Sequence, residues 1–305
     1  ATDNNPNAPA IKFSDFFILA STRDEKETLE SIKSYCDEHG KIDGVMTIAN
    51  DVPYTVAFIA DYFNLKGHSV ESAILAHDKF LMKEAFKEHG VLCPDFWKVS
   101  NLDELKYLIE REDIEIFVIK PVDGRGARGV LMVNKTDNLE WAFNESLSWS
   151  DEKVLIVERF IHGMQISSES YLINGKAYTP ALAERNYSRL EEFSPYIIED
   201  GGTIPAPIDN NLVLKINKII ECGSKSMGVT EGIVKGDIVI DDNGEPQIIE
   251  LALRLSGGWF ASNQIIATSG VDLVDAVINQ ALNIKVTKEM LIPKFSRSTS
   301  VRYWF

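Results

Sequence analysis

The sequence predicts an α/β chain that changes style part way along, from a parallel α/β unit to a mixed α+β region. Through about residue 75, short apolar runs alternate with amphipathic helical stretches, the pattern of a parallel sheet flanked by helices. From His77 onward, strand-length apolar runs are joined through a glycine-rich turn and an Asn-Gly turn, which indicates hairpins. A chain of 305 residues with 45% hydrophobic content is also long for one core, so two or three subdomains are expected.

The first strand expected is Phe16-Phe17-Ile18-Leu19-Ala20, after polar turn chemistry in Ala1 to Pro6. Thr28 to Glu38 has helical spacing, with Leu29, Ile32, Tyr35 and Cys36 on one face and His39-Gly40 as its stop. Gly44 to Ile48 follows as a short buried strand, then a helix over about Tyr54 to Phe63. A further amphipathic helix carrying Phe80, Leu81, Ala85 and Phe86 ends at Gly90, and Pro94 bars its continuation. Beyond it the spacing predicts a helix near Leu102 to Glu110 and strands at Ile114 to Lys120, Val130 to Val133 and Val154 to Val157. Later strands are expected at Ser168 to Ile173, Gly236 to Asp241 and Gln247 to Leu253, with helices over about Asn211 to Met227 and Asp272 to Ala281.

Net charge is −15, from 46 acidic against 31 basic residues, a field that repels nucleic-acid backbones. Any anionic ligand would need a local cluster of Lys and Arg together with a divalent metal. The cysteines Cys36, Cys93 and Cys222 are scattered, with no CxxC spacing, as in a reduced, cytoplasmic protein. No apolar run has the length of about 18 to 20 residues that a membrane span needs.

The most informative stretch runs from Gly236 to Arg254. A two-residue turn at Asn243-Gly244 places Asp237 directly opposite Glu250. Like charges opposed at about 4.5 to 5.5 Å destabilise a hairpin unless something neutralises them. A hard cation such as Mg²⁺ does so, and period-2 alternation puts Ala252 and Arg254 on the face of Glu250, where Arg254 could clamp phosphate in a bidentate fork. The alternative is a solvated acidic hairpin whose register Pro246 shifts.

Ile119-Lys120-Pro121 leads into a loop in which Gly124, Gly126 and Gly129 match GxGxxG. A dinucleotide fingerprint requires a helix next, but a strand follows. A glycine loop between strands instead folds over a nucleotide as a flap, with Lys120 projecting below and Arg125 and Arg128 supplying positive charge. The plainer alternative is a flexible hairpin with solvated arginines. Lys79 stands at a helix start, where a cation is disfavoured without an anion nearby, although a plain surface lysine fits the same position. Val154 to Ile161 reads as a buried strand ending in a polar step, suited to recognise an adenine edge. The polar segment Ala183 to Arg189, followed by Gly201-Gly202, could bind a substrate carboxylate through Arg185 or Arg189, or be a solvated loop. Ser256 and Gly257 are further candidates for substrate contact.

In this order the parts resemble the ATP-grasp superfamily: Asp78-Lys79, Ile119-Lys120-Pro121 with its glycine loop, a hinge strand ending in Glu158, and an acidic pair before Arg254. The stretch Ile249-Glu250-Leu251-Ala252-Leu253-Arg254-Leu255-Ser256-Gly257-Gly258 is similar to carboxylate–amine ligases of the carbamoyl-phosphate-synthase-like type. The resemblance implies a partial N-terminal α/β domain over residues 1–75 and a two-lobed ATP-grasp domain over 76–155 and 156–305. It implies that Lys79 and Lys120 hold ATP phosphates and that Gly124, Gly126 and Gly129 form the flap. Glu158, Arg159 and the backbone through Ile161 would then read the adenine, with Gln165 toward the ribose in place of a more usual Glu. Asp237 and Glu250 would bind Mg²⁺ or Mn²⁺, and Arg254 would steady the transferred phosphoryl group. Ala252 stands where an Asn commonly completes a second metal's shell.

The activity implied is phosphorylation of a carboxylate substrate to an acyl phosphate and its joining to an amine such as an amino acid. A nucleotide-binding module without turnover, or a carboxylase or formate-dependent transferase subunit, would share these parts. Relatives are commonly homodimers. The chain starts where the second strand of such proteins usually closes and stops at Val301 to Phe305 where they continue, so a fragment is expected.

Overall fold

The computed structural model describes residues 1–305. Strands β1 (Thr2–Asp3) and β2 (Ile18–Leu19) pair in parallel. Beside them lie helices α1 (Glu25–His39), α2 (Pro53–Tyr62) and α3 (Val70–His77). The Asp24 carboxylate caps α1 by accepting from the N–H groups of Lys26 and Glu27. Leu29 and Ile32 of α1 then bury against Ile59 of α2. The strand expected over Gly44 to Ile48 does not form. Val45 packs on this first core while Met46 packs on a core of the large sheet, so the segment spans two cores instead of laddering in one. Its backbone makes a single parallel bridge, Ile48 to Leu255, and the Ala49 N–H donates to Leu255 O at 3.0 Å.

Helix α4 (Lys79–Glu88) follows α3 after one residue, Asp78, which ends one helix and caps the next through Phe80 N–H and Leu81 N–H. A four-stranded antiparallel sheet comes next, ordered β3 (Phe96–Val99), β6 (Leu155–Arg159), β4 (Ile116–Pro121), β5 (Leu131–Asn134). Helices α5 (Leu102–Arg111) and α6 (Leu139–Ser148) cover one face and bury Phe117, Ile119, Leu131 and Val157. Alternation turns Val118 and Lys120 of the same strand to the opposite face.

The second sheet has six antiparallel strands. Its order is β11 (Pro246–Ala252), β10 (Gly232–Ile240), β7 (Met164–Ile173), β8 (Lys176–Asn186), β9 (Gly201–Ile204), β12 (Thr299–Arg302). The short helix α7 (Leu190–Phe193) lies between β8 and β9. The polar segment expected as a loop from Ala183 is therefore strand as far as Asn186, paired to Gly201. Helix α8 (Asn210–Ser226) packs Ile216 and Ile220 against Ile166, Leu182 and Ile238. The residues on either side of Leu182, Ala181 and Ala183, face the other core, built on α9 (Ile265–Ser269) and α10 (Leu273–Ala281). No helix is long and apolar enough to cross a membrane.

The β10–β11 hairpin opposes Asp237 to Glu250 as expected, but by a different route. Its turn has three residues, because Asp241 pairs with Glu245 and the Asp241 carboxylate accepts from the N–H groups of Asn243 and Glu245. That shifts the register by one, and a bulge between Asp237 and Ile238 shifts it back.

Candidate active site

Between the two sheets lies a cavity of about 710 Å³, within the range of about 300 to 1,000 Å³ that small-molecule sites occupy. Each wall is a sheet face on which alternation has placed polar side chains. From the smaller sheet come Lys120 and Glu158, from the larger one Gln165, Arg185, Asp237 and Glu250, and from the end of β11 Arg254.

The glycine loop roofs this space from 122 to 130 and is fixed at both ends. At the first, the buried Asp123 carboxylate accepts from Ser150 Oγ at 2.9 Å, Asp151 N–H at 2.8 Å and Glu152 N–H at 3.0 Å. Burial would raise its pKa, but these bonds hold it below the usual carboxylate value. Gly124 and Gly126 line the cavity. Gly129 does not: it has φ +69° and lies against α6, where an added Cβ would come within 3.1 Å of Ser146 O. This glycine is required for close packing at the base of the flap.

Lys79 opens α4 and answers the unfavourable helix dipole by reaching across the cavity. Its Nζ donates to Gly124 O at 2.7 Å and lies 3.5 Å from Glu250 Oε1. Lys120 Nζ sits 2.8 Å from Glu158 Oε1, and a second lysine absent from the sequence expectations, Lys83, sits 3.2 Å from the same oxygen. Burial alone would raise the Glu158 pKa, yet Lys120 and Lys83 hold it below its ordinary value. Arg159 is bound at its side chain to Asp95, 3.4 Å away, so it and Ile161 offer the cavity mainly backbone.

At the acidic pair, Asp237 is partly buried and held at about 2. Burial would raise its pKa, but Lys235 and Arg185 outweigh it. Arg185 Nη1 lies 3.0 Å from Asp237 Oδ1, and its Nε donates to Glu199 at 2.8 Å. This arginine is therefore committed to two carboxylates rather than presented to a substrate. Arg189 is not brought into the cavity: it pairs with Glu192 at 2.7 Å and stacks over Phe193 on the exposed side of α7. Arg254 Nε donates to Asp51 of the N-terminal unit. Burial would lower the Arg254 pKa, and Asp51 raises it above the ordinary value. Ser256 and Gly257 lie just outside the lining. The Ser256 N–H donates to Glu169 at 2.7 Å, and Gly257 packs closely on Ala49, whose Cβ would lie 3.0 Å from an added Cβ.

Three of the residues that complete the site were not singled out from sequence. Lys235 stands two positions before Asp237 on the same strand face, and Lys83 one helical turn after Lys79, so both spacings were readable. Asp51 carries no local signal, because its partner is 203 residues away.

The chain is 22% identical over 248 residues to the L-arginine-specific L-amino acid ligase of Bacillus subtilis, covering 79% of this chain and 58% of that protein. It is 24% identical over 221 residues to the D-alanine–D-alanine ligase of Bordetella avium (strain 197N), covering 70% of this chain and 63% of that protein. The chain thus spans less than two thirds of the length of either relative. The crystal structure of L-amino acid ligase from Bacillus licheniformis superposes with a TM-score of 0.74 at 21% identity, over 91% of this chain and 65% of that one. Residues 76–258 match the model of the ATP-grasp domain. That match takes in every residue lining the cavity except Asp51 and both sheets except β9's partner strand β12, and the chain belongs to the ATP-grasp family.

Proposed function

We propose that this cavity binds ATP and that the chain is the core of an ATP-dependent carboxylate–amine ligase. The observation that carries the reading is that Lys79 and Arg254 stand beside an opposed pair of carboxylates, with Lys120 on the facing sheet of the same cavity, under a glycine flap. Lys235 and Arg185 already pair with Asp237, and in a protein of net charge −15 the lysines and Arg254 form the local positive cluster that an anionic ligand needs. The amino acid ligase and D-alanine–D-alanine ligase relatives support the same reaction class.

Glu158, Gln165 and the backbone from Arg159 to Ile161 would take the adenosine, and Lys79, Lys120 and the N–H groups around Gly124 and Gly126 the phosphates. A hard divalent cation would suit the charge of these residues: Asp237 is held ionised and partly buried, with Arg185 and Lys235 on its two oxygens, and Glu250 faces it across the hairpin. No group of three or more His, Cys, Asp or Glu is gathered there, so Mg²⁺ or Mn²⁺ would have to take further oxygens from the nucleotide phosphates. When bound, the cation would offset the charge of the transferring phosphoryl group. Arg254 would steady that group and the acyl phosphate, Arg185 would position Asp237, and the flap would keep water away. An amine would then displace phosphate from the activated carboxylate. Residues 1–75, 76–155 and 156–305 would serve as the acceptor-side unit, the flap lobe and the metal lobe. A reducing cytoplasmic setting suits the three free thiols, and a homodimer is the assembly we would test first.

The test is release of ADP and phosphate from Mg-ATP against pooled amino acids and small carboxylates, with Glu250→Ala as the blank. A pool-dependent signal lost in the variant is expected. Nucleotide binding with no release in any pool would instead mark a module without turnover, and release driven by bicarbonate or formate would mark a carboxylase or transferase subunit. AMP in place of ADP would exclude the acyl phosphate route.

A further inference from the structure

Lys83 is fully buried and absent from the cavity lining, so the chemistry above leaves it without a task. It sits one turn after Lys79 on α4, and this spacing puts both ammonium groups on one face of the helix. Lys79 enters the cavity from that face. Lys83, deeper, ends 3.2 Å from Glu158 Oε1, the oxygen that Lys120 approaches to 2.8 Å. One buried carboxylate thus holds two lysines, of which only Lys120 lines the cavity.

We propose that Lys83 is the resident counter-ion of Glu158, a positioning residue that leaves Lys120 free to turn from that carboxylate to the nucleotide phosphates. The inference rests on the ATP reading given above. Removing one partner of a buried ion pair is strongly unfavourable, because the remaining charge is left without water or a counter-charge. If Lys120 were the only partner of Glu158, every turn toward a phosphate would incur that penalty. With Lys83 in place, Glu158 stays paired whichever way Lys120 points. The two lysines also repel each other across the shared oxygen, which favours the departure of Lys120 once an anion offers it a better partner. Burial lowers the Lys83 pKa and Glu158 opposes the loss, as expected of a cation that exists there only for that carboxylate.

The experiment is calorimetric titration of the full chain with Mg-ADP and with adenosine, comparing the ratio of their affinities. In Lys83→Met, Lys120 becomes the sole counter-ion of Glu158, and ADP should weaken relative to adenosine by about tenfold, or about 1.4 kcal/mol. Lys83→Arg should keep the ratio within about twofold, because the charge is retained. In a Glu158→Gln background no carboxylate competes for Lys120, so adding Lys83→Met should change the ratio less than about twofold. This uncharged pair also keeps the comparison open if the single Lys83→Met variant does not fold. An unchanged ratio in Lys83→Met, or a tenfold change that persists with Glu158→Gln, overturns the proposal. Failure of the unmodified chain to bind Mg-ADP overturns the ATP reading instead.

Discussion

Arg254 lies two residues beyond β11, where Asp51 holds its Nε and Glu250 and Asp237 add to its positive character. A lysine there would keep the charge and lose the planar fork. Arg254→Lys should therefore lower kcat for acceptor-dependent phosphate release by about 10²- to 10³-fold, the range for removing one preorganised donor, with KM for ATP nearly unchanged. A loss under about tenfold would show that a point charge suffices. Glu169 makes a different prediction. It is fully buried on β7, accepts from Ser256 N–H, and burial pushes its pKa up to about 7 from 4.5 against that bond and the nearby Lys235 and Arg254. Between these values the folded chain holds a proton that the unfolded chain has released, so stability falls as pH rises through that window. The full loss is about 3 kcal/mol. Glu169→Gln keeps an acceptor without the titration and should gain on the unmodified chain by up to that amount between pH 5 and 8, read by urea unfolding. Parallel profiles for the two proteins would place the proton elsewhere.

At the scale of elements, the hinge into β7 depends on Gly163, which has φ +149° and passes so close to β10 that an added Cβ would lie 1.9 Å from Ile240 O. Gly163→Ala should destabilise the chain by about 1–3 kcal/mol or more, measured as a lowered midpoint in urea, and should weaken nucleotide binding by displacing the backbone at Ile161. An unchanged midpoint would mean that the hinge yields without strain. Most helices and both central hairpins were legible because caps, glycine stops and apolar periods agree there. The opposition of Asp237 to Glu250 was legible too, yet the turn was misjudged: Asp241 bonding its own loop makes three residues the closed length, and only the bulge restores the pair. Strand β8 stayed hidden because Pro180 breaks its pattern; it lies where the β7–β8 ladder shifts register, which is where a sheet tolerates proline. Helix α3 was missed because its stop signal, Asp78, is also the cap of α4. Gly44 to Ile48 has strand composition but serves two cores, a long-range outcome that no local pattern encodes.

At the scale of the whole molecule, polar contacts tie together the parts that surround the cavity. Met132 N–H of β5 donates to Pro195 O at 2.8 Å, Lys79 joins α4 to the flap and to Glu250, and Asp51 ties the N-terminal unit to Arg254. A ligand that touches both sheets would add links between them, and it would bind the folded chain alone. At about 100 times its Kd, Mg-ADP should therefore raise stability by about 2.7 kcal/mol. For a chain of this size that corresponds to a rise in Tm of about 4 °C. The rise should fall sharply in Lys120→Met, which removes a phosphate partner, and on chelation of the divalent cation, which would otherwise link the phosphates to Asp237 and Glu250. It should survive in Arg189→Ala, because Arg189 is bound to Glu192 outside the cavity. A rise equal in Lys120→Met and the unmodified chain would place the nucleotide somewhere other than between the sheets.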